Sequence, residues 1–197
     1  FPYTTLFRSR LEHRPALAKS LAPWNRLGLA SLVPGASTEG QGVLLVADQG
    51  FGDMLQFVRF APELAALGDG PVWLACPPAM SGLFERLVDR APGGALRGVI
   101  SVLPGSPQGL PEGLGWALPL ASLPLHLGRQ RGWALVPGHP DHRAPAGGYL
   151  QADPARVAQW QARLGPQTRP RVALAWSGGE GRQADWGRSI PLAHLLP

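Results

Sequence analysis

Apolar positions along the chain follow two different spacings, and the change from one to the other predicts a strand followed by a helix. Residues 43–47, VLLVA, form a short apolar run with β-branched side chains that begins after a glycine, which is typical of a buried strand. From Met54 onward the apolar residues recur every three or four positions, which predicts an amphipathic helix to about Leu67. Pro62 is expected to kink this helix or end its first half, and the glycines of 68–70 to stop it.

The same alternation of strand and helix patterns continues along the chain. Further strands are predicted at 71–76, 98–103 and 171–176, and further helices at 79–90 and 153–165. Asp153 is the expected N-cap of the last helix, Pro154 its first residue and Gly165 its stop. Residues 115–128 are interpreted as part strand and part loop or short helix, and 129–150 as irregular. This order predicts an α/β fold, a Rossmann-like parallel sheet with flanking helices.

A turn containing Gly50, Gly52 and Asp53 joins the first predicted strand to the first predicted helix. Ligands of parallel sheets bind beyond the carboxyl ends of strands, and glycines allow positive φ and close approach of a ligand to the backbone. Two interpretations of Asp53 remain open. It could cap the helix, with Gln56 three residues on as in a capping box, or it could present an acid to a ligand. A capping carboxylate would have a lowered pKa and be the poorer base.

A dinucleotide cofactor is not predicted at this turn. The third glycine of the fingerprint is replaced by Leu55, and the following strand, VWLACPP, ends without an acid. An NAD-dependent oxidoreductase is therefore disfavoured, and we expect no cofactor. Arg59 could reach a phosphate or carboxylate at the turn, or could be an ordinary solvated helix arginine.

A second glycine-containing loop, SGGEGRQADWGRS at 177–189, follows the last predicted strand. Arg182 and Arg188 in this loop could clamp phosphate oxygens, whereas Ser189 could instead cap a helix. The HPDH segment at 139–142 has too few ligands for a metal site, so no metal is predicted. His126 is expected to be a packed histidine.

Composition limits the classes of function that remain. The 197 residues are 45% hydrophobic, enough for one domain or slightly more, and no run is long enough to span a membrane. The net charge of +5 comes from scattered arginines without a basic run, so no nucleic-acid partner is predicted. Cys76 is the single cysteine and is expected to be a buried structural thiol, in a reducing, cytoplasmic compartment. Residues 1–9, FPYTTLFRS, resemble a translated sequencing adapter and are left out of the prediction.

Two separated stretches together resemble one family. LLVADQGFGDMLQFVRFAPELAALG (44–68) and RVALAWSGGEGRQADWGRSIPLAHL (171–195) are similar to the catalytic region of bacterial TPR-linked glycosyltransferases, relatives of O-GlcNAc transferases and, more distantly, of heptosyltransferases. The resemblance runs from about residue 40 to the end. It implies a GT-B fold, in which two Rossmann-like domains hold a nucleotide-sugar donor between them, with TPR helices upstream.

The resemblance also implies a domain arrangement and a set of site residues. Residues 10–40 would be a connector from the TPR region, 41–166 the N-terminal domain, and 170–197 the first strand and loop of the donor-binding domain, so that the chain is an inactive fragment. Asp53 would be the catalytic base of an inverting transfer from a nucleotide sugar to a protein or glycan acceptor. The acceptor side would be lined by Gln49, Gly50, Gly52, Gln56 and Arg59, and the donor phosphates would be bound by Ser177, Gly178, Arg182, Arg188 and Ser189.

The sequence departs from the family pattern in one place, and an alternative function stays open. After WSG the loop carries Arg182 and Asp185 where the family usually has an Asn or Pro and often a His or Lys, which leaves the donor contacts undetermined. The alternative is a non-catalytic, TPR-attached Rossmann-like module that binds a partner or a nucleotide without turnover.

Overall fold

The structure, a computed structural model, describes residues 15–47, 50–91, 96–102, 109–131, 148–174 and 190–194. Its contacts divide the chain into one compact unit that ends at Asp153 and a second that begins at Pro154. No helix in the described ranges combines the length and apolar character needed to cross a bilayer.

The described part of the first unit contains five strands and five α-helices. The strands are β1 Ala30–Ser31, β2 Gly42–Val46, β3 Val72–Cys76, β4 Leu96–Ser101 and β5 Leu114–Pro119. The α-helices are α1 Pro15–Asn25, α2 Phe51–Phe57, α3 Ala61–Ala65, α4 Pro78–Arg90 and α5 Leu123–Arg131. Two 3-10 helices, Val58–Phe60 and Leu120–Ser122, precede α3 and α5.

The five strands form one parallel sheet in the order β1-β5-β2-β3-β4. The central strand β2 pairs with β3 through Val43 opposite Val72 and with β5 through Val43 opposite Trp116. All five residues of β2 are buried, as expected for a strand covered on both faces. The predicted α/β fold with a Rossmann-like parallel sheet and flanking helices is confirmed.

Side chains of β2 alternate between two apolar clusters, one on each face of the sheet. Val43 and Leu45 belong to the larger cluster, which also contains side chains of α2, α3, α4 and α5. Leu44 and Val46 belong to the smaller cluster, in which α1 packs through Leu21 and Trp24. Burying both faces of the strands removes their apolar side chains from water, which is the main force that holds the unit together.

The predicted helix at 54–67 is broken into α2, a 3-10 helix and α3, and Pro62 explains the break. Pro62 lies in the first turn of α3 and has no N–H with which to continue the α-helical ladder. The preceding amide, that of Ala61, instead donates to the carbonyl oxygen of Val58 in a 3-10 pattern. The prediction that this proline would end the first half of the helix is confirmed.

The stretch 10–40, predicted as a connector, contains a helix and a strand among its described residues. Residues 15–25 form α1, and β1 adds an edge strand to the sheet by pairing with β5. Leu21 and Trp24 are buried in the sheet's smaller cluster, so this stretch is an integral part of the first unit. A two-residue strand has no periodicity, and the many glycines and prolines around it obscured the pattern.

The described part of the second unit contains α6, Pro154–Leu164, and a 3-10 helix, Leu192–His194. Gly165 ends α6 in the left-handed conformation at φ +67°, as predicted. Arg171 Nη2 donates to the last carbonyl oxygens, at 2.9 Å from Leu164 O and 2.8 Å from Gly165 O. The unit boundary before α6 lies upstream of the predicted domain boundary at 166–170, an assignment that stays a prediction.

The strand predicted at 171–176 is wrong for its described part. Residues 171–174 have no strand conformation, and the side chain of Val172 is 82% exposed. The apolar alternation of this stretch has the pattern of a strand. A strand also needs a neighbouring strand to bond its amides and carbonyls, and none pairs with these four residues in the described ranges.

Candidate functional site

The turn after β2 begins a helix three residues earlier than a cap at Asp53 would require. Gly50 is the N-cap of α2, with φ −63° and ψ 156°, and it makes no side-chain capping bond. Asp53 is therefore the third residue of the helix, in its first turn, and its side chain is exposed. The capping interpretation, with Gln56 completing a capping box, is wrong. A carboxylate in the first turn is still favoured by the helix dipole.

The two glycines of the turn are not needed for an unusual backbone conformation. Gly50 has negative φ, and Gly52 is not among the residues with positive φ, so the conformational reason predicted for them is wrong. A methyl group added to Gly52 would meet no atom within 4 Å. The space beside Gly52 is open, so a ligand could approach the backbone closely there.

The carboxyl end of β2 lies where the strand order changes direction. β3 and β4 lie on one side of β2, whereas β5 and β1 lie on the other. In open α/β sheets, ligands bind beyond the carboxyl ends of the strands at such a reversal. The 3-10 helix that follows β5 contacts α2, so the segments that leave these two neighbouring strands meet beside the turn. Gly52 and Asp53 thus occupy a position typical of a binding site.

Arg59 lies at the far end of the same helical segment and is only partly exposed. Its guanidinium carbon lies 4.8 Å from the centre of the Phe60 ring, a cation–π contact within the 3-10 helix. Its Nε is buried and has no hydrogen-bonding partner among the described residues. An unpaired buried donor costs about 1–3 kcal/mol, so this N–H has unused capacity to bind an acceptor group. The structure does not favour the fully solvated arginine.

The other predicted site residues divide into two groups. Gln56 is exposed on α2, on the same helix as Asp53. Outside the described residues lie Gln49, Ser177, Gly178, Arg182, Arg188 and Ser189. The HPDH segment at 139–142 lies outside them as well. Of the residues predicted for the acceptor side, the structure places Gly50, Gly52, Asp53 and Gln56 at the start of α2 or within it.

Sequence reasoning missed one residue that contacts this helix. The hydroxyl of Tyr149 donates a hydrogen bond of 2.6 Å to the carbonyl oxygen of Leu55 in α2. The two residues are 94 positions apart, and Tyr149 falls in a stretch that was interpreted as irregular. No local pattern could have identified this contact, because only the tertiary fold brings the two segments together.

Two further polar side chains in the first unit are structural. Cys76 is buried, and burial, assisted by the negative charge of Glu85, raises the pKa of its thiol to about 12. This thiol is inert, as predicted, because the nucleophilic form of cysteine is the thiolate. His126 is buried and accepts a hydrogen bond from the backbone N–H of Gly35, which confirms that it is a packed histidine. Within the described ranges no cluster of His, Cys, Asp and Glu could hold a metal ion.

No protein-family model and no solved structure matches the chain significantly. Among curated proteins the chain is similar to Protein FlbA of Caulobacter vibrioides, with 30% identity over 154 residues. The match covers 72% of this chain and 24% of FlbA, so the chain spans about a quarter of the length of that relative. The similarity relates the chain to one section of a longer protein.

Proposed function

We propose that the chain is the acceptor-side part of an inverting glycosyltransferase of the GT-B type, which transfers a sugar from a nucleotide-sugar donor to a hydroxyl group of a protein or glycan. The proposal combines the resemblance of residues 44–68 and 171–195 to TPR-linked glycosyltransferases with the geometry of the turn after β2. The complete protein would carry TPR helices upstream and a second Rossmann-like domain downstream. Because its single cysteine allows no disulfide within these 197 residues, we propose a reducing, cytoplasmic compartment.

One observation carries the proposal. Asp53 is exposed in the first turn of α2, beyond the carboxyl end of the central strand, and its carboxylate makes no hydrogen bond or ion pair with the described residues. The carboxylate oxygens of a structural aspartate at a helix start normally accept hydrogen bonds from backbone N–H groups or form an ion pair with a neighbouring cation. A carboxylate with its oxygens free can accept a proton from a bound hydroxyl group.

The proposed step is a single displacement. The acceptor hydroxyl gives its proton to a carboxylate oxygen of Asp53, and its oxygen forms a bond to the anomeric carbon of the donor sugar. The bond between this carbon and the diphosphate oxygen breaks, and the nucleoside diphosphate leaves with the bonding electron pair. The configuration at the anomeric carbon is inverted, and no metal or cofactor is required for the atoms and charges to balance.

Other residues of the turn would position the acceptor. The open space at Gly52 lets the acceptor approach the helix beside Asp53, and Gly50 and Gln56 border the same surface. Arg59, whose side chain is partly exposed, would bind an oxygen of the substrate through its guanidinium group. On the donor side, the resemblance assigns the diphosphate to Ser177, Gly178, Arg182, Arg188 and Ser189, with the two arginines stabilising its developing charge.

The test is a turnover assay on the complete gene product. Purified protein is incubated with a panel of UDP-, GDP- and dTDP-sugars and a cell extract as acceptor source, and the released nucleoside diphosphate is measured. Asp53→Asn is expected to lower the rate by at least about a hundredfold, the typical effect of removing a general base. Asp89→Asn is the matched control, because Asp89 is also an exposed helical aspartate but lies near the end of α4, away from the turn.

Two results would count against the proposal. Near-normal turnover by Asp53→Asn would reject Asp53 as the base. The absence of turnover by the unmodified protein with every donor, together with measurable nucleotide or partner binding, would favour the non-catalytic module. We expect the 197-residue chain by itself to show no transfer, because most of the proposed donor site would lie in the second domain.

A further inference from the structure

Residues 149–153 form a short segment, here called the brace, that is bonded to two helices on the same face of the sheet. At one end, the hydroxyl of Tyr149 donates to the carbonyl oxygen of Leu55 in α2 at 2.6 Å. At the other end, Arg86 of α4 donates from Nε to the carbonyl oxygen of Gln151 at 3.1 Å, and its Nη1 lies 3.7 Å from a carboxylate oxygen of Asp153. Tyr149 also packs against the larger apolar cluster.

The position of the helix that receives the hydroxyl of Tyr149 is set by contacts with the rest of the first unit. α2 has seven residues, its N-cap makes no side-chain bond, and it passes directly into a 3-10 helix. A helix of this length is not stable by itself and depends on tertiary contacts. Its buried side chains, Met54 and Phe57, supply apolar packing, which is not directional. A hydrogen bond has a preferred distance and angle, so the bond from Tyr149 defines where Leu55 lies.

We propose that Tyr149 is a positioning residue for Asp53, a role that rests on the proposed function of Asp53 as the base. Leu55 is two residues after Asp53 in the same helix, and the backbone between them moves as one turn. Fixing the carbonyl group of Leu55 therefore fixes the direction of the Cα–Cβ bond of Asp53, from which the carboxylate extends. A general base must lie within hydrogen-bonding reach of the proton it accepts, so this alignment governs the rate of proton transfer.

The first experiment measures the helix itself and needs no substrate. Hydrogen exchange is followed by NMR on the 197-residue chain and on Tyr149→Phe, which removes the hydroxyl and keeps the ring. Loss of one hydrogen bond is expected to speed exchange of two amides by roughly three- to tenfold: that of Met54 in α2 and that of Val58, which donates to the carbonyl oxygen of Met54 at the end of α2. Amides in the middle of α4 should change by less than about twofold, because the core beneath that helix is untouched.

Arg86→Met is the matched control, because it releases the other end of the brace and retains the apolar stem of the side chain. Exchange in α2 should stay close to that of the unmodified chain. Unchanged α2 exchange in Tyr149→Phe would overturn the proposal. Equal acceleration of α2 and α4 in Tyr149→Phe, or of α2 in both variants, would overturn it too, since each would indicate general loosening.

The second experiment uses turnover of the complete gene product and a double-mutant cycle. Tyr149→Phe is expected to lower kcat by about tenfold with little change in the KM for the acceptor, because alignment and not binding is affected. In an Asp53→Asn background the same substitution should have no further effect, since there is no base left to align. Additive effects of the two substitutions would overturn the positioning role.

The two experiments separate failure of this inference from failure of the proposed function. If the unmodified protein shows no turnover with any donor, the proposed function fails, and the positioning role that rests on it fails with it, whatever the exchange result. If the unmodified protein turns over and Asp53→Asn is inactive but Tyr149→Phe is fully active, the proposed function stands and the role of Tyr149 is rejected.

Discussion

A neutral imidazole holds the loop after β1 against α5. The Nδ1 atom of His126 accepts the backbone N–H of Gly35 at 3.1 Å, so the ring proton must be on Nε2. Neighbouring side chains of α5 bind the same loop, with Arg129 donating to the carbonyl oxygen of Pro34 and Gln130 to that of Ala36, both at 3.0 Å. Burial lowers the pKa of His126, and the negative charge of Asp69 opposes this only in part.

The free energy of unfolding of the first unit should therefore decrease when the pH drops below about 6.5, the ordinary pKa of histidine. Between that pH and the lower pKa of the folded state, the unfolded chain takes up a proton at His126 that the folded chain does not. The contribution of neutral His126 to stability is complete above this pH window and is lost as the pH falls through it. Within the window the free energy of unfolding changes by at most about 1.4 kcal/mol per pH unit. Urea unfolding measured from pH 5 to 7 will give this slope.

The comparison that isolates His126 uses two substitutions. His126→Asn keeps an acceptor atom near the position of Nδ1 and removes the titrating ring, so the slope from this site should disappear. His194→Asn changes an exposed histidine of the second unit and should leave the slope as it was. A slope that is the same in all three proteins would contradict the assignment.

Substitution of Gly52 tests whether a glycine is needed at this position for the fold or for binding of a ligand. Gly52 and Gly82 are both helical, and an added Cβ would meet no atom within 4 Å at either position. Each Gly→Ala substitution should therefore leave stability unchanged or raise it by up to about 1 kcal/mol. In the complete gene product, only Gly52→Ala should reduce transfer, because its methyl group enters the space proposed for the acceptor. Thermal unfolding of both variants tests the expected stability, and turnover tests the expected loss of transfer. Full activity of Gly52→Ala would contradict the proposed site.

At the scale of elements, the pairing of β3 with β4 depends on a close contact across the two strands. Gly98 lies opposite Trp73, and a Cβ at this position would lie 2.6 Å from the indole ring. Gly98→Ala should therefore lower the free energy of unfolding by about 1–3 kcal/mol, the usual cost of overpacking. Urea denaturation gives the value, with Gly82→Ala as the substitution that finds open space. An unchanged urea midpoint of Gly98→Ala would contradict this, because it would mean that the indole of Trp73 moves aside without a loss of stability.

Two short stretches show that an extended segment becomes a strand only where a neighbouring strand can pair with it. Ala30 and Ser31 have no strand pattern, but they lie beside β5, where Ala30 pairs with Trp116. Residues 171–174 have the stronger pattern, and they are exposed and unpaired in the described structure. Backbone N–H and C=O groups must be satisfied by another strand or by water, and sequence patterns do not state which.

At the scale of the whole molecule, the described core belongs to the first unit. The larger apolar cluster extends to Leu150 and the smaller one to Ala117, and α6 buries no residue. A chain that ends at Asp153 should therefore keep the free energy of unfolding of the first unit to within about 1 kcal/mol, since surface changes away from the core have small effects. Urea denaturation of the shortened and full chains tests this. A loss of cooperative unfolding would show that residues after 153 contribute to the core.

Apolar periodicity predicted the parallel α/β arrangement, and single glycine and proline residues predicted the helix stop at Gly165 and the break at Pro62. These depend on burial of local apolar patterns and on the backbone properties of glycine and proline, and both are readable from neighbouring residues. The apolar residues around Cys76 and His126 also indicated correctly that the two are buried. The candidate turn was located from Gly50, Gly52 and Asp53, because glycine and acid at a strand–helix junction are visible in the sequence.

Only the tertiary structure decided what each residue of that turn does. The start of α2 at Phe51 made Asp53 an exposed first-turn residue and not a cap, because a helix boundary depends on the φ and ψ that packing selects. The open space at Gly52 and the buried Nε of Arg59 depend on neighbours that the linear order does not specify. The bond from Tyr149 to Leu55 joins positions 94 residues apart, and only folding of the intervening chain brings them within 2.6 Å.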